Sequence, residues 1–183
     1  MTRAYLALGG NLGDVAAEFL SAIHALAATD GVTLVAVSRV YRTPPWGVTD
    51  QPDFLNMALA IDTKLSARAL LEACLGIEKA SGRVRDRRWG PRNIDIDVIA
   101  FGDATVDEPD LTIPHPRAHE RAFVLAPLCD LDAELRLAGL RVSDLLAQVD
   151  ACGVSVDDEA TAVIAIPCGT DARRRRPESA PRA

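Results

Sequence analysis

Residues 53–63, Asp-Phe-Leu-Asn-Met-Ala-Leu-Ala-Ile-Asp-Thr, alternate without a break, and this is the tightest single constraint on the fold. With a period of two, Leu55, Met57, Leu59 and Ile61 share one face of a strand, while Phe54, Asn56, Ala58 and Ala60 share the other. Asn56 is the polar exception on its face, and a half-buried amide must find partners. Such a strand needs neighbours to pair with and helices to cover it.

The flanking segments supply both. Arg3 to Leu8 predicts a short buried strand, broken at Gly9-Gly10-Asn11-Leu12-Gly13, where three glycines permit a tight turn. Asp14 has the character of an N-cap, and Val15, Phe19, Ile23 and Leu26 form the apolar stripe of a helix that ends before Asp30-Gly31. Val32 to Tyr41 is β-branched and predicts a strand. Ser66 caps a second helix striped by Leu70, Cys74 and Ile77 and stopped by Gly82, and Asn93 to Phe101 predicts a fourth strand. The order strand, helix, strand, strand, helix, strand is that of an α+β, ferredoxin-like βαββαβ unit, an antiparallel sheet with helices on one face. Domains of this kind host regulators, RNA binders and enzymes, so function must be argued from side chains.

After Phe101 come a proline-rich loop (Pro109, Pro114, Pro116), an apolar segment from Ala122 to Leu131 and a helix from Ser143. Residues 1–168 read as one domain; residues 169–183, with five Arg against two acidic residues, read as a disordered Arg-rich tail or a basic interaction tag. At 183 residues the chain can bury a sizeable core without a disulfide framework, and Cys74, Cys129, Cys152 and Cys168 show no metal-binding spacing. With no signal peptide and no membrane-spanning apolar run, the cytoplasm is the expected location. The net charge of −6 argues against broad capture of nucleic acid or anionic membrane, so any phosphate binding must be local.

Local binding has an evident place. Arg83-Val-Arg-Asp-Arg-Arg-Trp-Gly-Pro-Arg92 runs directly into Asn93-Ile-Asp-Ile-Asp97. On a strand, Asp95 and Asp97 project together, about 6.5 to 7 Å apart at Cα, while Ile94, Ile96 and Val98 enter the core. Paired carboxylates on a rigid ledge suit Mg²⁺, which fills its other positions with water and phosphate oxygens, and Arg forks clamp what the metal neutralises. A lone Asp-x-Asp is more often a solvated face; the arginines upstream change that reading. Their own alternatives are a charged loop or a nucleic-acid loop with Trp89 stacking on a base. No ordinary P-loop is present, so a nucleotide would be held by side chains.

Two further segments carry chemistry. Tyr41-Arg-Thr-Pro-Pro-Trp-Gly47 is a stiff loop feeding Gln51-Pro-Asp-Phe-Leu-Asn56, where an amide beside an aromatic ring fits a flat heterocycle. Leu111-Thr-Ile-Pro-His-Pro116 leads to Arg121-Ala-Phe123 and puts His115 between prolines, outside any helix. His115 and His119 have H-x₃-H spacing, but Pro116 breaks the register and no third zinc ligand is evident. His24 has no chemical company and reads as a surface or rim residue.

From about Ala4 to Leu135 these ordered segments (GGNLGD, YRTPPWG, QPDFLN, GRVR, RWGPRNIDIDVIAFG, LTIPHPRAHERAFVLAPL) resemble the 6-hydroxymethyl-7,8-dihydropterin pyrophosphokinase family of folate biosynthesis. The resemblance implies an αβα sandwich around the ferredoxin-like core, two Mg²⁺ ions, and pyrophosphoryl transfer from ATP to the pterin hydroxymethyl group with release of AMP. It implies that Asp95 and Asp97 hold both metals, with Arg83 and Arg92 as catalytic arginines. Thr43, Pro44, Trp46, Asn56 and Phe123 would surround the pterin, with Phe54 near its entrance and Trp89 closing one side. Glu78, Arg83, Arg85, Arg92, Thr112, His115 and Arg121 would contact the ATP side, and Arg88 would belong with Trp89 to a mobile lid. Gly9-Gly10 replaces a frequent Gly-Ser; Asp110 and Pro116 stand where some members place Arg and Tyr; the 85–89 loop is one residue shorter than in some. A monomer binding ATP and the pterin, without nucleic acid or membrane, is the expectation. A ferredoxin-like effector-binding module, or another Asp-x-Asp transferase releasing inorganic pyrophosphate or a nucleoside diphosphate, are the competing readings.

Overall fold

The computed structural model describes residues 1–45, 50–82 and 91–165. Strand β1 (Thr2–Gly10) leads through a turn to α1 (Val15–Ala28), and β2 (Val32–Val37), β3 (Tyr41–Thr43) and β4 (Phe54–Thr63) follow; α2 (Ala67–Ala80) and β5 (Asp95–Phe101) complete the βαββαβ unit. Next come a hairpin, β6 (Val106–Glu108) and β7 (Leu111–Ile113), a 3₁₀ turn at Ala118–Glu120, and α3 (Ala122–Leu131). A second small hairpin, β8 (Arg136–Leu137) and β9 (Leu140–Arg141), is followed by α4 (Val142–Leu146), β10 (Ser155–Val156) and α5 (Asp158–Ile164). The main sheet is antiparallel in the order β10-β3-β4-β1-β5, with β2 also paired to β4.

Both helix starts expected from the sequence are real caps: Asp14 accepts from the Ala17 amide at 3.1 Å and Ser66 from the Ala69 amide at 3.2 Å. The alternating strand is the central ladder partner of β1. Its Met57, Leu59 and Ile61 join Leu6, Leu8, Phe19, Leu26, Leu70 and Ile96 in one core beneath α1 and α2. Ala58 and Ala60 join Tyr5, Ile99, Leu125, Leu128 and Leu145 in a second core beneath α3 and α4. Helices therefore cover both faces, in an αβα sandwich. The helices of the βαββαβ unit itself lie on one face; the apolar segment 122–131, a full helix, covers the other.

Three expectations are corrected in detail. The span 32–41 is two strands: five residues from Val37 to Tyr41 face four from Leu59 to Asn56, and the extra residue forces a break. Ser38 fills that break, its hydroxyl accepting from the Ala58 amide at 2.8 Å. Gly9 and Gly10 belong to β1 rather than to the turn, which begins at Asn11. The proline-rich stretch after Phe101 is a hairpin, because Val106 to Glu108 pairs with Leu111 to Ile113 around Pro109. Residues after Val149, for which sequence alone offered nothing, add β10 to the sheet and put Ala160 and Ile164 of α5 into the first core. Among the described residues no helix is long and apolar enough to cross a membrane.

Gly10 is the closest packing point of the sheet to the segment before β5. A Cβ there would lie 2.3 Å from the Asn93 carbonyl oxygen, a backbone atom that cannot step aside. Gly76, mid-helix in α2, faces open space. Gly10→Ala is therefore expected to cost about 2 kcal/mol or more, and Gly76→Ala to gain roughly 0.5 to 1 kcal/mol. Urea denaturation of both variants checks this; equal effects would mean that the Gly10 approach is not a tight one.

Candidate active site

Three strands of the sheet set the site. In the β1 registers, Asp95 pairs with Gly9 on one side and Asn56 pairs with Gly9 on the other; one step along, Asp97 and Ala58 flank Ala7. Strands stand about 4.8 Å apart, so Asp95 and Asn56 are held roughly 10 Å apart across a floor with almost no side chain. A Cβ on Gly9 would come within 3.1 Å of the Asn56 amide oxygen. The floor opens into a cavity lined by Ala7, Gly9, Thr43, Pro44, Phe54, Asn56, Arg92, Asp95, Asp97, Arg121 and Phe123. Fragments that are far apart in the sequence thus meet on the α3 side of the sheet.

At one end the polar groups are neutral. Asn56 and Thr43 are 6% and 4% exposed, and the Asn56 amide donates to the Thr43 hydroxyl at 2.9 Å. That bond uses one N–H of Asn56 and fixes its orientation; Phe54, Phe123 and Pro44 supply flat apolar surface around it. A planar heterocycle with donors and acceptors on its edge fits this end.

At the other end the groups are charged. Burial pushes the Asp97 carboxyl up to about 6, the Asp95 and Glu78 charges add to the shift, and Arg121 and Arg92 oppose it. An Arg92 guanidinium nitrogen lies 3.4 Å from Asp95, and the rest of that group stacks over Phe54 at 5.2 Å. Arg121 stacks over Phe123 at 5.7 Å. Among the described residues, the buried Nε atoms of Arg92 and Arg121 have no hydrogen-bond partner. Acids repelling one another beside arginines with unsatisfied donors are the arrangement expected where a cation and an anion both belong.

Other assigned residues stand further back. Glu78, 3% exposed, does not line the cavity; its carboxylate accepts from the Ile96 amide at 2.8 Å, between the two aspartates, on a strand that is the edge of the sheet among the described residues. Thr112 lies on β7 opposite Asp107, outside the lining. His115 donates its backbone N–H to the Ile99 carbonyl at 2.9 Å, and burial, with Arg121 and Arg117, holds its imidazole below the ordinary range. Asp110 is bound to Arg68 of α2, which also holds Glu108, so this departure from the family pattern anchors the hairpin. His24 is exposed, as expected. Trp46, Arg83, Arg85, Arg88, Trp89 and the tail lie outside the described residues.

One residue was missed. Asn11 donates to Gln51 Oε1 and the Pro52 carbonyl, both at 3.1 Å, and its amide oxygen accepts from the Arg92 backbone at 3.0 Å, while its own backbone N–H donates to the Arg92 carbonyl at 2.9 Å. It ties the end of β1 to the segments entering β4 and β5. The signal was its place inside GGNLGD, read only as a turn.

Residues 5–133 match the family described as 7,8-dihydro-6-hydroxymethylpterin-pyrophosphokinase. A protein of Methylorubrum extorquens named 2-amino-4-hydroxy-6-hydroxymethyldihydropteridine pyrophosphokinase is 55% identical over 154 residues, 84% of this chain and 98% of that one. The like-named Pseudomonas aeruginosa protein is 45% identical, covering 79% of this chain and 90% of its own. Among solved structures, Plasmodium falciparum HPPK-DHPS wild type with STZ-DHP has a TM-score of 0.65 at 16% identity over 80% of this chain, which shows a shared fold. This chain spans 43% of that longer chain.

The raised Asp97 carboxyl has a thermodynamic consequence. Between its ordinary value of 3.8 and about 6, the folded chain keeps a proton that the unfolded chain has released. The stability contributed by this group is therefore present at low pH and is lost as pH rises through about 6. Asp97→Asn removes the charge and keeps the shape. In chelator, its stability relative to the parent should rise between about pH 4 and pH 7, by on the order of 1 to 2 kcal/mol. A pH-independent difference in urea midpoints would show that Asp97 carries no such penalty.

Proposed function

The chain belongs to the 7,8-dihydro-6-hydroxymethylpterin-pyrophosphokinase family, and from that premise we propose how its residues divide the reaction between them. The enzyme transfers pyrophosphate from ATP to the hydroxymethyl group of 6-hydroxymethyl-7,8-dihydropterin, giving the pterin diphosphate and AMP in tetrahydrofolate biosynthesis. The alcohol oxygen bonds to the β-phosphorus, the bond from that phosphorus to the α,β-bridging oxygen breaks, AMP leaves with that oxygen, and the alcohol proton passes to solvent. The observation that supports the assignment of residues is the two-ended floor: neutral Asn56 and Thr43 at one end, charged Asp95, Asp97, Arg92 and Arg121 at the other.

Asn56 and Thr43 read the pterin edge, Phe123 stacks on its face, and Pro44 and Phe54 border it, with Trp46 and Trp89 assigned to the same substrate. Asp95 and Asp97 fit Mg²⁺: two carboxylates on one strand face, lining the cavity, suit a cation that keeps waters and takes phosphate oxygens. When bound, two magnesium ions neutralise phosphate oxygens and make the β-phosphorus a better electrophile. Arg92 and Arg121 offer their unsatisfied N–H groups to phosphate, joined in this assignment by Arg83, Arg85 and Arg88. The His115 Nδ1 accepts from the Arg117 amide at 3.3 Å, so a neutral imidazole carries its proton on Nε2 and can donate it to a phosphate oxygen. Thr112 is assigned with it to the nucleotide side, and Glu78 acts there through β5. No strong base is assigned: positioning the alcohol against phosphorus supplies much of the rate.

The same reading takes the chain as a cytoplasmic monomer of one domain over residues 1–168; the free Cys74, Cys129 and Cys152 support a reducing compartment. The assay that tests the activity mixes ATP, Mg²⁺ and 6-hydroxymethyl-7,8-dihydropterin and measures AMP. Pterin-dependent AMP is expected, and Asp97→Asn should lower turnover about 10³-fold. Inorganic pyrophosphate or ADP in place of AMP would point to a different transferase, and no pterin-dependent nucleotide product would overturn the reading.

A further inference from the structure

Residues 150–165 contribute nothing to the cavity lining, yet they hold the strand that does. β3 is only three residues long, and β10 pairs along its free edge, Ser155 opposite Arg42 and Val156 opposite Tyr41. The Asp157 amide donates to the Val40 carbonyl at 2.8 Å, and the Val40 amide donates to the Thr161 hydroxyl at 2.9 Å. Arg42 donates to the Asp157 carboxylate through Nε at 3.0 Å and a terminal nitrogen at 2.5 Å. The same carboxylate accepts from the Ala160 amide at 2.9 Å and so caps α5, whose Ala160 and Ile164 are rooted in the core shared with α1. The start of β3 is thus bolted to the main core through its partner strand and helix.

The other end of this strap reaches the cavity wall. Gly153, at φ +78°, sits against Pro44: a Cβ there would lie 3.0 Å from both Cγ and Cδ of that ring. Proline cannot give way by rotating a side chain, so pressure at Gly153 passes to the backbone of Pro44 and Thr43. Thr43 ends β3 and Pro44 follows it directly, and Thr43 is the partner that orients Asn56. We propose that the strap 153–161 is a positioning element for the pterin end of the site, with Gly153 the residue that sets the place of Pro44. The inference rests on the assignment of Thr43, Pro44 and Asn56 to the pterin. It gives a specificity role to a segment that lies outside every recognised motif of the chain.

The test compares Gly153→Ala with Gly139→Ala. Gly139, in the β8–β9 hairpin at φ +82°, carries the same backbone strain on substitution but meets nothing within 4 Å, so it isolates the Pro44 contact. Calorimetry measures binding of 6-hydroxymethyl-7,8-dihydropterin in the presence of Mg²⁺ and a non-hydrolysable ATP analogue, and separately binding of the analogue alone. Gly153→Ala should weaken pterin binding by about fivefold or more and raise the pterin KM in step, with analogue affinity unchanged; Gly139→Ala should leave both unchanged. Arg42→Gln, which cuts the Asp157 pair and leaves Gly153 alone, should weaken pterin binding in the same direction by a smaller factor and supplies the test if Gly153→Ala does not fold. Pterin binding at the parent level in the folded variants, or parallel loss of analogue and pterin binding, overturns the positioning role. A parent protein that binds no pterin at all would instead overturn the assignment of the substrate.

Discussion

The site depends on what the middle strand lacks. β1 lies between β4 and β5, paired to both from Ala4 to Gly9, and the residues whose Cα faces the site on this side of the sheet, Ala7 and Gly9, are nearly without side chains. Larger residues would fill the space between Asp95 and Asn56. With that row bare, the sheet acts as a ruler: the strand spacing fixes the distance between the carboxylates and the amide, and hydrogen-bond register fixes which groups face each other. Gly10 extends the same economy one residue further, letting the Asn93 carbonyl approach so that Asn11 can clasp Arg92.

Holding the charged end in place has an energetic cost. Burial alone raises the Asp97 carboxyl, and Asp95 and Glu78 make its charge still less favourable. The fold tolerates this because Ile96 and Val98 on the core face of β5, and Ile94 just before it, are buried and because Glu78 satisfies the edge amide of Ile96. Arg92 and Arg121 are kept ready in the same manner, their planes laid on Phe54 and Phe123 while buried Nε atoms go unsatisfied. On the proposed assignment, metal and triphosphate would relieve both penalties, which makes the site poised for binding rather than for stability.

Much of this was legible in the sequence because it follows from period and spacing. The alternation in 53–63 separates Leu59 from Asn56 whatever surrounds them, and a single residue between carboxylates on a strand must put Asp95 and Asp97 on one face. Caps at Asp14 and Ser66 are local chemistry and were equally readable. The break at Ser38 was not, since it comes from a one-residue mismatch in pairing with β4, a long-range property. Asn11 was hidden for the same reason: its partners Gln51, Pro52 and Arg92 are 40 to 81 positions away. Glu78 was placed on the nucleotide side by likeness alone, and only the packing of α2 behind β5 shows how it reaches the site. The strap after residue 150 carries little periodicity, being a two-residue strand and a short helix held largely by what they touch.

The central claim is that Asp95 and Asp97 form a cation site completed by nucleotide phosphate. Electron paramagnetic resonance of Mn²⁺, titrated into the protein with a non-hydrolysable ATP analogue and the pterin, measures it directly. The account predicts two tightly bound Mn²⁺ per chain, reduced to one or none in Asp97→Asn. Bound Mn²⁺ no greater than the free nucleotide holds, and unchanged by the substitution, would contradict it.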